Sequence, residues 1–424
     1  IVYSALGNTG QKCSANSLLI LEREVYEDAH FKEQLIDTAK SFSTGSAWEF
    51  KNKMGPLINP PSGELETGIT TLEPGESWAL KPEMLDNNPY IWSPGIKWDV
   101  TPGSFTHMTE FFGPVLAVMC ADSLEEAIKL VNQTGYGLTS GIESLDPREI
   151  KIWKEGIEAG NLYINRGTTG AITLRQPFGG MKKSAIGACI KAGSPNYTAQ
   201  FMEFKDTAFP EVITLKEENR LLRLIAEWKL KTRWNKFDGF NEQMEKTIRA
   251  TKSYLFHYEN EFSKENDYFN LRGQDNILRY LPLGTIVVRL HEKDSLFDCM
   301  ARIMACLVTK NRVIVSIPTG LDNDVVKFIQ EKEGARLLEG QEVAFESDAE
   351  LTGRISNVAR IRYADFDRVP DEVFKAAAKA GFYISCTPVM MEGRIELLQY
   401  ILNQSICHTY HRYGNLGERN LKIS

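Results

Sequence analysis

The sequence predicts an α/β protein made of two layered domains, and three observations lead there. Short β-rich runs alternate with amphipathic helical stretches over roughly the first 205 residues, and the same rhythm returns beyond Leu281. The stretch between them is charged and helical. With 424 residues the chain is long enough for two or three domains, and 42% hydrophobic and 25% charged residues are ordinary for a globular protein. The sequence divides into a first domain (1–206), a helical connector (207–275) and a second doubly wound α/β domain with its tail (276–424).

The chain opens on an apolar, strand-like stretch before GQKCSA (10–15). Residues 24–41 read as a helix and MGPLINP (54–60) as the turn after it. Residues 75–103 are rich in Pro, Trp and Asn, which suits an irregular connection with short strands. FGPVLAV (112–118) reads as a Gly-Pro turn and a buried strand. Ser123 and Glu126 then form a capping box before a helix with Ala127, Leu130 and Val131 on one face, ended by Gly135 and Gly137. Pro147 opens a helix over 147–159. NLYIN (161–165) is a strand, followed by a Gly-Thr-rich loop to PFGG, and YTAQFMEFKD (197–206) alternates as a strand would.

In the connector, Met244, Ile248, Thr251, Leu255, Tyr258 and Phe262 recur at three- and four-residue steps, the mark of a helix with one buried face. Strands are then predicted at 284–290, 312–317, 359–364 and 382–386. Helices are predicted from Ser295, from Leu321, over 370–380 and over 393–402. The turn after the first of these strands is HEKDS, which is no glycine-rich phosphate loop.

A net charge of −7 and a pI near 5.6 give a nucleic-acid role no electrostatic support. No apolar run approaches the ~18 residues of a membrane span. The seven cysteines are odd in number and never in a CxxC pair, which fits a reducing cytoplasm and argues against a disulfide framework or structural zinc. His408 and His411 are the one close histidine pair, and tail packing explains them better than a metal.

Cys13 is the candidate nucleophile. A free cysteine is usually an inert core residue, but Cys13 sits in a polar turn after Gly10, where small neighbours leave room for a carbonyl and backbone N–H groups can face an oxyanion. About a hundred residues on comes TEFFGPVLAV (109–118), and then NLYINRGTTGAITLRQPFGG (161–180).

These three blocks in this order resemble the aldehyde dehydrogenase superfamily over roughly residues 1–205. The loop Gly167-Thr168-Thr169-Gly170-Ala171 and KAGSPNY (191–197) resemble its Δ1-pyrroline-5-carboxylate (glutamate-γ-semialdehyde) dehydrogenase branch. The extension ending in CHTYHRYGNLGER (407–419) resembles the C-terminal region of bifunctional proline utilization A proteins. The resemblance implies NAD-dependent oxidation of glutamate-γ-semialdehyde to glutamate through a thiohemiacetal and thioester on Cys13. It gives Glu110 and Phe112 to the nicotinamide ribose, Ser14, Gly170 and Ala171 to the substrate carboxylate as donors, and Phe178 to an apolar wall. It implies a flap strand at 197–206 that pairs subunits in a homo-oligomer, and a C-terminal module without its own active site.

Two departures from the family pattern are Ala185 after Ser184, where glycine is usual, and Ser194 in KAGSP. The family's dinucleotide-binding domain and water-activating glutamate lie ahead of the cysteine, so the chain is expected to be a fragment lacking both and inactive in isolation. FAD would belong only to a proline dehydrogenase domain not present here. A cytoplasmic location is expected, with peripheral membrane association an option for a longer protein. Two other readings stay open: a non-catalytic assembly or tunnel-covering module, and an aldehyde dehydrogenase of other specificity, including acylating types.

Overall fold

The computed structural model describes residues 1–210, 213–215, 219–230 and 239–410. They form two compact units: Ile1–Ala185 with Asp267–Ile277 and the chain from Ser405, and Ile186–Asn266 with Leu278–Gln404.

In the first unit, strands β1 (Leu18–Glu22), β2 (Ser77–Leu80), β3 (Gly95–Trp98) and β4 (Val115–Ala121) form a sheet in the order β1-β4-β3-β2, parallel except for β2 against β3. β4 is apolar throughout because both of its faces are covered. Leu116 and Val118 pack with Leu6, Leu35, Ile96 and Trp98, while Ala117 and Met119 pack on the other face with Val100 and Leu130.

The opening residues are a helix, Val2–Leu6, and not a strand. Val2, Ala5 and Leu6 share one face and bury it against Leu35 and Leu116; a six-residue apolar run carries too little periodicity to distinguish the two states. The stretch 24–41 is two helices, Arg23–Glu27 and Ala29–Lys40, broken where the Asp28 carboxylate caps the second by accepting from the His30 N–H. Helix Leu124–Gln133 is capped by Ser123, but Glu126 reaches back to the Asp122 N–H and not to that of Ser123. The helix predicted over 147–159 runs Pro147–Gly156 behind an Asp146 cap. Strands β5 (Thr139–Ile142) and β6 (Asn161–Ile164) pair in parallel.

The second unit is a parallel sheet preceded in the chain by β7 (Gln274–Pro282): β8 (Thr285–Arg289), β9 (Arg312–Pro318), β10 (Glu342–Glu346), β11 (Arg360–Arg362) and β12 (Ile384–Ser385), in the order β10-β9-β8-β11-β12. Alternate residues go to opposite faces. Ile286, Val288, Val313 and Val315 join one core with Met300 and Met304, and Val287, Ile314 and Ile361 join another with Val373. Helix Leu296–Val308 opens on a full capping box between Ser295 and Asp298. Helix Phe240–His257 buries Met244, Thr251 and Leu255, and Met244 and Leu255 belong to the first of those cores.

Two further expectations fail here. Residues 197–206 contain a 3-10 turn, Tyr197–Phe201, and no strand. The helix predicted over 393–402 is only Gly393–Glu396 and a 3-10 turn, after which β13 (Ile401–Thr409) is a strand. Ser405–His408 of β13 pair in parallel with Asn161–Ile164 of β6, so a distant neighbour decides the backbone there.

Lys191, in KAGSPNY, is 1% exposed, and burial lowers its pKa to about 7 against a weaker opposing effect of Cys189. Between pH 7 and its unfolded value the unfolded chain holds one proton more than the folded one. Its stabilising contribution is therefore complete above the unfolded pKa and is lost as pH falls toward 7, by about 1.4 kcal/mol per pH unit. Lys191→Met is expected to be more stable than the wild type at pH 7, with the gap closing by pH 10. Urea titrations at both pH values check this; a pH-independent difference would count against it.

Candidate active site

Cys13 is exposed in a turn over residues 12–14, at the end of the 3-10 segment Gly7–Gly10. The segment is held in an unusual path: Asn8 and Thr9 take φ of 57° and 60°, a left-handed region costly for non-glycine residues. Thr9 Oγ1 donates to Gly55 O at 2.7 Å, and Gln11 Oε1 accepts from the Ile58 N–H at 3.2 Å. MGPLI (54–58) is thus a brace for the cysteine turn. Within the turn, the Ala15 and Asn16 N–H groups are taken up by Lys12 O and Ser4 O. Those of Cys13 and buried Ser14 have no acceptor among the described residues, which leaves them open to a developing oxyanion beside the sulfur.

Gly10 fixes where this turn lies. Its φ is +68°, and a Cβ there would sit 2.0 Å from Gly113 O. Only glycine allows that approach, so the cysteine turn abuts the turn of EFFGP. In that turn Phe111 is buried, at 5.7 Å from the Phe105 ring, while Phe112 has φ 54° and is 41% exposed. The backbone twist sends successive aromatics opposite ways. Glu110 lies just before them on the surface, yet desolvation by nearby protein raises its pKa. No described residue donates a hydrogen bond to its carboxylate, so its acceptors are available for hydroxyl donors of a ligand.

The Gly-Thr loop is clamped to the cysteine turn from the other side. The Thr168 N–H donates to Ser4 Oγ at 3.2 Å, and its Oγ1 donates to Asn16 Oδ1 at 2.8 Å. Two residues on, Gly170 has φ +81° and nothing within 4 Å of its Cβ position. The N–H groups of Gly170 and Ala171 find no acceptor among the described residues. Phe178 is half-buried just before Gly179-Gly180. The structure therefore joins the cysteine turn to the Glu110–Phe112 turn through Gly10 and to the Gly170–Ala171 loop through Thr168.

Several contributors were not singled out from sequence. Ser4 and Asn16 are polar residues whose only signal was their proximity to the motifs, and Thr168 was named within its loop motif but not as the clamp it forms. Lys97 carried a clearer one, a lone charge inside the apolar strand Gly95–Trp98. Its Nζ is buried 3.3 Å from Glu76 Oε2 and 3.0 Å from Thr106 Oγ1, and it lies over the rings of Trp78 and Phe111. Tyr163 of β6 is buried, with its pKa raised to about 12 chiefly by desolvation, with smaller contributions that include Cys13 and Cys407. Among the described residues no three His, Cys, Asp or Glu side chains cluster as a metal site, and no helix is long and apolar enough to cross a membrane. His408 lies in β13, whereas His411 falls outside the described residues.

Residues 1–207 match the model of the aldehyde dehydrogenase family. The chain is 35% identical over 209 residues to 1-pyrroline-5-carboxylate dehydrogenase of Bacillus subtilis (strain 168), covering 49% of this chain and 40% of the relative. It is 34% identical over 206 residues to 1-pyrroline-5-carboxylate dehydrogenase 1 of Halalkalibacterium halodurans, covering 48% and 39%. The chain thus spans about two fifths of the length of these curated relatives. Among solved structures, proline utilization A of Corynebacterium freiburgense is similar over 98% of this chain and 37% of its own, with a TM-score of 0.77 and 36% identity.

Proposed function

Because residues 1–207 belong to the aldehyde dehydrogenase family, we propose that Cys13 is the nucleophile of an NAD-dependent oxidation of glutamate-γ-semialdehyde to glutamate in proline catabolism. The observation that carries this reading is the exposed Cys13 thiol beside two open backbone N–H groups, in a turn tied to both the Glu110–Phe112 turn and the Gly170–Ala171 loop.

Attack of Cys13 Sγ on the aldehyde carbon forms a thiohemiacetal, with the Cys13 and Ser14 N–H groups facing its oxyanion. Oxidation leaves an acyl group on the same sulfur, and hydrolysis releases the acid and returns the thiol. The residues present fit the ribose of a nicotinamide nucleotide: the unpartnered Glu110 carboxylate would accept from its hydroxyls, and the exposed Phe112 ring would hold its apolar side. When bound, the nicotinamide supplies the hydride acceptor. At the far end of the substrate, the Gly170 and Ala171 N–H groups suit a carboxylate, since consecutive backbone donors at a left-handed glycine form an anion-binding concavity. Ser14 adds a hydroxyl and Phe178 an apolar wall.

Limited alkylation of the folded chain with iodoacetamide, followed by peptide mapping, tests the central assignment. Cys13 is expected to label first. Cys299 and Cys306 are fully buried, with their thiol pKa values pushed well up by desolvation, and should label last. Preferential labelling at either of those two would remove Cys13 from this role.

A further inference from the structure

Cys407 stands about 240 residues from the loop that the proposed function assigns to the substrate carboxylate, yet its sulfur is where both ends of that loop meet. Arg166 Nη1 donates to Cys407 Sγ at 2.9 Å, and Gln176 Nε2 donates to the same sulfur at 3.1 Å. Gln176 also closes the loop on itself: its Oε1 accepts from the Ile172 N–H, and its own N–H donates to Ile172 O. Its Nε2 further donates to Asn276 Oδ1 at 2.9 Å. The sulfur is held in place because Cys407 is fully buried in β13, paired with Tyr163 of β6. Between the two anchors the loop is far more open, with Gly170 exposed and Leu174 60% exposed at φ 70°.

We propose that Cys407 is a positioning residue, a buried acceptor that pins the base of loop 166–176 and so sets where the Gly170 and Ala171 N–H groups point. This rests on the reading of that loop as the carboxylate anchor. An eleven-residue loop with an exposed tip and a left-handed glycine does not hold two donors in one direction unless its ends are fixed. The Thr168 clamp fixes one side, and the Cys407 sulfur fixes both ends against the sheet. Burial outweighs the two donors and keeps the thiol pKa raised, so the sulfur acts as a neutral acceptor and not as a second nucleophile. A serine hydroxyl can replace it in that task; a valine cannot, and it would leave the Arg166 and Gln176 donors without their shared partner.

The test compares Cys407→Val with Cys407→Ser. Hydrogen–deuterium exchange of the folded chain over residues 166–176 is expected to rise at least about fivefold in Cys407→Val and to stay near wild type in Cys407→Ser. In an active enzyme carrying this sequence, KM for glutamate-γ-semialdehyde should rise roughly five- to tenfold in the valine variant with kcat nearly unchanged, propanal oxidation should hold, and serine should restore KM. Unchanged exchange in Cys407→Val, or equal losses with both aldehydes, would overturn the proposal. If the wild-type enzyme shows no preference for the carboxylate-bearing aldehyde while exchange still responds, the clamp stands and its role in specificity is refuted, together with the substrate assignment.

Discussion

Cys13→Ala, in an active enzyme carrying this sequence, is expected to lower aldehyde oxidation by at least about a thousandfold, because loss of the proposed covalent nucleophile would remove the whole acyl-enzyme route. Stability should hardly change. Cys13 is exposed, and its side chain makes no hydrogen bond among the described residues, so the substitution removes neither packing nor a partner. Cys13→Ser should be nearly as inactive, since a hydroxyl is a far weaker nucleophile than a thiolate. The pairing of a large kinetic loss with an unchanged unfolding midpoint is the informative result. Activity within tenfold of wild type would end the case for Cys13, and a matching loss of stability would make it a structural residue.

Lys97→Met should act the other way, on stability first. Lys97 and Glu76 are buried with 1% and 0% of their side chains exposed, and Lys97 also donates to Thr106 Oγ1. Glu76 Oε1 already has no hydrogen-bond partner, so removing the ammonium would strand a carboxylate with little else to satisfy it. Breaking a buried pair on one side costs about 3–5 kcal/mol. The pKa of Lys97 is lowered, desolvation outweighing the attraction of Glu76, so the pair is held at a cost and its loss is not cushioned by water. Because Nζ lies 5.6 Å from the Phe111 ring centre, the Glu110–Phe112 turn should loosen as well. Urea unfolding checks the first effect. The double variant Lys97→Met, Glu76→Leu should recover much of the loss, since no charge is then left buried. A single-variant cost under about 1 kcal/mol would show that water or a rearrangement replaces the ammonium.

Local sequence pattern alone gave away the α/β class, the strands β4, β6, β8, β9, β11 and β12, and the motif residues. These rest on local physics: β4 and β8 are apolar runs bounded by turn residues, Ser123, Asp146 and Ser295 are caps that announce their helices, and Gly10 and Gly170 stand where the backbone takes positive φ. Cys13, Glu110, Phe112, Gly170 and Ala171 were all legible as candidates from short motifs. What holds them to one another was not. The Gly10–Gly113 approach, the Thr168 bonds to Ser4 and Asn16, and the Cys407 sulfur between Arg166 and Gln176 join residues about 100 to 240 positions apart, and no periodicity encodes such partners. Ambiguous short segments took their state from long-range packing and pairing. Residues 2–6 became helical because Val2, Ala5 and Leu6 bury one face together, and residues 401–409 became a strand where backbone groups of β6 stood ready to pair. For segments this short, local preference is worth less than the burial and hydrogen bonds a neighbour provides.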